Sequence, residues 1–258
     1  MQERLHLQAK IANLRKLFII MNRKLIVALG ASFLILLAIA GIVGYMAYDR
    51  LFTPAFNIAG SARLYIDSDD TPDSVRHKVK EVLSPKSIQA FDWLMSYEGY
   101  TDVKTGCYLF EPHDNLRTAV RRLKLGWQTP VRIVLPSVRT IDRLAQSLSK
   151  QLMMSEEEIA DSLSDQSYIN RLGHTSETLP ALFIPNTYEV YWDLSINELM
   201  QRLQKEYTAY WTPERKRKAS TLGLTPIEAA TLASIVDEET AVNAEKPIVA
   251  GLYLNRLQ

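Results

Sequence analysis

The chain has 258 residues, with 30 basic against 29 acidic side chains, a net charge of +1, and a single cysteine. That balance carries no nucleic-acid footprint, and a lone Cys107 excludes a disulfide framework or a cysteine-based metal site. The length allows two modest domains, each with its own core. His6, His77, His113 and His174 lack the i,i+4 pairing of a helical metal site, so neither a metal nor a cofactor is implied.

In chain order, Met1 to Lys24 is basic: Arg4, Lys10, Arg15, Lys16, Arg23 and Lys24 stand against Glu3 alone. MNRK at Met21 followed by an apolar run is an ordinary membrane-protein beginning, so Met21 stands beside Met1 as a start. Leu25 to Tyr48 contains no charge and is long enough to cross a hydrocarbon core of about 30 Å. A cleaved signal has a shorter apolar core and a small-x-small exit, which favours an anchor here. Positive charge before the span places the N-terminus in the cytoplasm and everything after Asp49 outside, with Tyr45 and Tyr48 at the interface. Residues 49–62 then read as a linker.

Arg63 to Asp67 alternates as a strand, helical runs follow near Asp73–Val82 and Ser87–Met95, and GCYLF at Gly106–Phe110 is a second strand. Strand–helix–helix–strand over about fifty residues resembles the order of elements in a LysM module, a small fold that holds N-acetylglucosamine polymers. A second cycle follows: a helix at Asn115–Leu125 ending at Gly126, a strand at Val131–Leu135, and helices at Thr140–Leu152 and Ser155–Leu163. Arg117, Arg121, Arg122 and Lys124 are expected to form one basic face on the first of these helices. That face is either a solvated surface or a contact for anionic wall polymer or lipid.

A polar loop from His174 to Pro180 leads into LFIPNTYEVYW, where Thr187 to Tyr191 alternates as a strand. Phe183, Tyr188, Tyr191 and Trp192 either stack on sugar rings or form interdomain core. Ser195 to Trp211 is an amphipathic helix, and Pro213 to Ala219 a charged helical turn closed by Gly223.

The next helix starts with a full signature: Thr225 as N-cap, Pro226 at the first position and Glu228 three residues after the cap. It ends in Asp237, Glu238 and Glu239. At about 100° per residue, Ile235 and Val236 lie within about 60° of Leu232 and Glu239 within about 20°, while Asp237 and Glu238 point away. Glu239 thus continues the apolar stripe, and is expected on the buried side. A buried carboxyl is costly unless paired or protonated, so Glu239 is either a structural acid or a general acid. Pro247 starts a further helix in which Ile248, Val249 and Leu252 are expected to pack inward.

LASIVDEETA, then Glu245, then KPIVAGLYLNRL, resembles the signature of the YceG-like family of endolytic murein (lytic) transglycosylases. LFIPNTYEVYW resembles that family's F-x-P-D-T-Y segment upstream. The resemblance implies non-hydrolytic cleavage of MurNAc–GlcNAc bonds inside glycan strands, leaving 1,6-anhydro-MurNAc ends. It puts the catalytic glutamate at Glu239, with Asn186, Thr187, Tyr188, Glu245, Asn255 and Arg256 as candidate substrate-binding or partner groups. Three positions depart from the family pattern: Asp237 for Glu, Glu238 for Lys and Asn186 for Asp. The family's P-E-G turn after the strand at 131–135 reads Pro136-Ser137-Val138. Since the family's domain continues beyond N-R-L, the chain reads as truncated at Gln258, within the catalytic domain.

The expectation is therefore an α+β protein: a cytoplasmic segment (1–24), a transmembrane helix (25–48), a linker (49–62), a LysM-like mixed domain (63–170) and a helix-rich catalytic domain (171–258). Its substrate is peptidoglycan at the inner membrane, on nascent strands, with peptidoglycan synthases as natural partners. Two rivals stand beside it: a non-catalytic wall-binding membrane protein, and a muramidase using water with Glu245 as its second carboxylate.

Overall fold

A computed structural model describes residues 2–137 and 140–257, of which the side chains are described for 27–137 and 140–256. Met1, Gln258 and Val138 of the altered turn lie outside the described residues.

Helix α1 (Gln2–Phe52) is continuous through both ends of the expected span, so the basic segment and the first residues of the linker belong to it. From Val27 to Arg50 every side chain is exposed. Val27–Phe52 is, among the described residues, the one single helix long and apolar enough to cross a membrane. The rest of the linker is built into the fold. Phe56 is 3% exposed in a core, and backbone bridges join Pro54 to Asn115 and Phe56 to Pro85.

Two units follow, each opened and closed by a strand, the first strand–helix–helix–strand and the second with three helices and a 3-10 turn between its strands. The first runs β1 (Ala62–Ile66), α2 (Pro72–Leu83), α3 (Ile88–Tyr97), β2 (Gly106–Phe110), with β1 and β2 antiparallel and Leu64 opposite Tyr108. Thr71 and Ser87 cap the two helices through their hydroxyls. Helix α4 (Leu116–Leu125) packs on this unit, capped by Asn115 and ended by Gly126 in the left-handed region. Two strands alone are marginal in water. Phe56, Leu64, Ile66, Val75, Val79, Phe91, Phe110 and Leu123 form the core that holds them.

The second unit runs β3 (Val131–Leu135), α5 (Ile141–Ser149), α6 (Glu156–Ser164), α7 (Gln166–Arg171), a 3-10 turn (Leu179–Leu182) and β4 (Asn186–Val190). β3 and β4 are antiparallel with Ile133 opposite Tyr188, so the cycle opened at Val131 closes across the sheet. Helix α8 (Ile196–Tyr210), with a capping box between Ser195 and Glu198, covers the same core. Helix α7 is a single short element that the residue pattern does not announce.

β2 is buried on both faces, because Cys107 faces the second core while Tyr108 and Phe110 face the first. That explains why GCYLF reads as a continuous apolar run rather than an alternating one. Cys107 packs there as a small hydrophobe, with Arg63 Nη1 3.5 Å from its sulfur. The units meet at Asp193, which accepts from Thr105 Oγ1 (2.7 Å) and Gln128 Nε2 (2.9 Å), and at the edge-on contact of Tyr65 with Trp192. Gly106 makes this joint possible: its φ is +134°, and a Cβ there would sit 2.2 Å from Gln128.

The chain ends in α9 (Pro213–Thr221), α10 (Pro226–Glu239) and α11 (Lys246–Leu257). Among the described residues Val236 is the one buried apolar side chain of the last two helices. Ile248 is 68% and Leu252 54% exposed, which corrects the expectation that they pack inward; Val249 is half-buried.

Candidate active site

Helix α10 begins as its sequence dictates. Thr225 Oγ1 accepts from the Glu228 N–H (3.2 Å) and Glu228 Oε2 accepts from the Thr225 N–H (2.7 Å), while Pro226 occupies the first turn, where no amide is needed. Hydrogen bonds from the Thr225 N–H and hydroxyl hold the Glu228 carboxyl below the ordinary carboxylate range. The helix packs against α9, α11 and the 3-10 turn that leads into β4.

At the C-terminal end the three acids separate as 100° per residue requires. Asp237 turns toward α11 and pairs with Lys246. Glu239 turns along α11, and its Oε1 accepts a 2.8 Å hydrogen bond from the Tyr253 hydroxyl. That bond, burial and the carboxylate charge together raise the Tyr253 phenol above its ordinary value, against the pull of Arg256. Arg256 stands over the Tyr253 ring, its guanidinium carbon 5.7 Å from the centroid. Thr240 ends the helix and turns its hydroxyl onto Glu245 Oε2 (2.6 Å), while also accepting from the Val242 N–H (3.0 Å). Glu245 is thereby folded back beside the residue that follows Glu239.

Glu239 itself is exposed. This corrects the expectation that it continues a buried stripe: the stripe through Leu232 and Ile235 is only half-covered, with Ile235 exposed. The helix angles placed Glu239 correctly beside Ile235, but the side they share is open.

The other candidates divide. Asn186 and Thr187 are exposed at the start of β4, where Asn186 Oδ1 accepts from the Thr187 N–H (2.8 Å). Tyr188, expected in the cleft, is 2% exposed inside the second core, and its hydroxyl donates to the Ile184 carbonyl (2.6 Å). The alternation of β4 decides this, since Tyr188 and Val190 face inward together. Phe183 lies inside that core and Trp192 packs against Tyr65 at the joint between the units, so core packing accounts for the first and interdomain packing for the second, while Tyr191 is exposed. Asn255 and Arg256 are exposed, and Arg256 reaches Glu239 through Tyr253 rather than directly. Tyr253 is the one site residue that sequence reasoning missed. Its position seven residues after Lys246 puts it on the same face of α11, a spacing that was there to be read.

Glu239 has one carboxylate oxygen held by a phenol, and a second acid, Glu245, is hydrogen-bonded to Thr240, the residue just past its helix end. Such a group can donate a proton to an oxygen laid over it and take one back.

The sequence profile of the YceG-like family matches residues 64–258. A protein named endolytic murein transglycosylase from Streptococcus pneumoniae strain D39 is 23% identical over 88% of this chain and 46% of its own length. One of the same name from Bacillus subtilis is 21% identical over 67% of this chain and 52% of its own. The chain thus spans about half the length of the curated relatives it matches. A crystal structure of a putative yceG-like protein from Listeria monocytogenes superposes with a TM-score of 0.47 at 18% identity, covering 78% of this chain and 71% of that one.

Proposed function

Because the chain belongs to the YceG-like family, we propose that it works as a membrane-anchored lytic transglycosylase of peptidoglycan, with Glu239 as its acid. The observation that carries this reading is the coincidence of the family's catalytic glutamate with the carboxyl at the end of α10 that Tyr253 holds. Relatives named endolytic murein transglycosylases support the substrate and the reaction.

In this mechanism Glu239 protonates the glycosidic oxygen as the MurNAc C1–O bond breaks through an oxocarbenium-like state. The C6 hydroxyl of the same MurNAc then bonds to C1 and returns its proton to Glu239, so no water is consumed. Tyr253 steadies one carboxylate oxygen. A proton donor at neutral pH works best out of water. Glu239 is open to solvent, so the glycan strand itself supplies the cover. Asn186 and Thr187 at the edge of β4, with Glu245 and Arg256, are the proposed substrate contacts; Tyr188 supports β4 from beneath.

Helix α1 is the proposed anchor, crossing the inner membrane with its N-terminus in the cytoplasm. The first strand–helix–helix–strand unit is the proposed LysM-like wall contact, and the enzyme acts on nascent strands beside their synthases. Mass spectrometry of peptidoglycan digested by the full-length protein and by its Glu239→Gln variant tests the chemistry. The proposal expects 1,6-anhydro-muropeptides from the parent alone. Sacculus binding without soluble product from either protein overturns it in favour of a wall-binding role.

A further inference from the structure

Where α1 ends, a cleft of about 210 Å³ opens between it and α4, lined by Phe52, Asn115, Arg117, Thr118, Arg121 and Trp127. The expected basic face of α4 is divided in the structure. Arg122 turns inward to a bidentate pair with Asp114, and Lys124 reaches Glu98. Arg117 and Arg121 remain on one exposed face, four residues apart, and neither has a carboxylate partner among the described residues. The Arg117 guanidinium carbon stands 5.6 Å from the centre of the Phe52 ring. Trp127, on the far rim, is 54% exposed.

The depth of the cleft decides its occupant. Leu25 to Tyr48 rises about 36 Å as a helix, slightly more than the hydrocarbon core. Asp49 and Arg50 are the first charges after it, and Phe52 follows within about 6 Å of axis. Two unpaired guanidiniums and an exposed indole therefore sit at the level where lipid phosphates and interfacial aromatics lie. Guanidinium presents paired donors that match a phosphate's oxygens.

We propose that this cleft binds the phosphate of an anionic phospholipid headgroup, seating the first unit on the membrane that α1 crosses. The inference rests on the anchor reading above. It adds a second attachment that fixes the distance and tilt of the domain, which a single helix cannot do. Each basic side chain at an anionic surface strengthens association by about fivefold, so the pair is a usable clamp.

The test uses the full chain reconstituted in vesicles of phosphatidylcholine, with and without phosphatidylglycerol. A headgroup spin label quenches tryptophan, and subtracting a Trp127→Phe variant isolates the Trp127 signal. The proposal expects Trp127 quenching to rise with phosphatidylglycerol, and the docked-to-undocked ratio to fall roughly fivefold for each of Arg117→Gln and Arg121→Gln. Both positions are exposed, so circular dichroism should not change. Equal quenching in the two lipids overturns the site while leaving the anchor intact. Release of the chain by an alkaline wash overturns the anchor and the site with it. Displacement by soluble poly(glycerol phosphate), without any response to phosphatidylglycerol, assigns the cleft to wall polymer and overturns the lipid assignment.

Discussion

The Tyr253 hydroxyl donates to Glu239 Oε1 at 2.8 Å, tying the end of α10 to the middle of α11. This bond fixes the rotamer of the carboxyl that the proposed reaction uses. Tyr253→Phe keeps the ring under Arg256 and removes only the donor. A positioning role predicts that kcat falls about tenfold while KM and Tm stay near the parent values. A fall in Tm with unchanged kcat would make the bond merely structural.

The same bond works in the other direction on the phenol. Since Glu239 raises Tyr253 above the ordinary tyrosine value, Glu239→Gln should let it ionise at lower pH. Ultraviolet difference titration of Glu239→Gln beside the same variant carrying Tyr253→Phe resolves this one group. An unchanged midpoint relative to the parent would mean the two do not interact in solution.

Acid sensitivity should come from the first unit. Burial pushes the Asp114 carboxyl up, but hydrogen bonds from Arg122 and the Glu111 N–H, with the Arg122 charge, hold it below the ordinary range. A depressed carboxylate stabilises the fold above its unfolded value near pH 3.8, and that contribution is lost as pH falls through the folded value. Asp114→Ala strands a half-buried guanidinium and should cost about 3 kcal/mol at neutral pH. Urea unfolding should show the gap between parent and variant closing as pH drops below that of an ordinary aspartate.

Alkaline sensitivity should come from Tyr100. Burial pushes its hydroxyl up to about 12, with Asp70 and Asp102 adding repulsion. The folded state thus holds its proton more tightly than the unfolded chain, so the stability of the fold is unaffected by the ionisation of this group below pH 10 and declines as pH rises toward 12. The hydroxyl is buried without a hydrogen-bond partner among the described residues. Tyr100→Phe should therefore stabilise the protein by about 1 kcal/mol at neutral pH, and by more at high pH.

The joint between the units depends on Gly106. Gly106→Ala would drive a Cβ into Gln128, which donates to Asp193. Hydrogen exchange should accelerate in β2 and in the segment around Asp193, while amides deep in α8 keep their protection.

Much of this architecture was legible in local chemistry. Thr225, Pro226 and Glu228 announce α10, GCYLF and VRIVL appear as strands at those residues, and Gly126 ends α4 where a left-handed residue is needed. What escaped depends on neighbours distant in sequence. Glu239 sits on the apolar side of its helix, but burial is decided by what covers that side, and periodicity carries no such information. Resemblance puts Tyr188 in a cleft, whereas its own alternation with Val190 points it into the core. Arg122 leaves the basic face because Asp114, just before the N-cap of α4 and eight residues back, takes its guanidinium.

Digestion of peptidoglycan in water enriched in oxygen-18 tests the central claim most directly. If the MurNAc C6 hydroxyl attacks C1 and gives its proton to Glu239, new ends from the parent are anhydro and carry no heavy oxygen, and Glu239→Gln makes none. New reducing ends carrying oxygen-18 would contradict the account: water would be the nucleophile, and Glu245, hydrogen-bonded to Thr240, would become the second carboxylate.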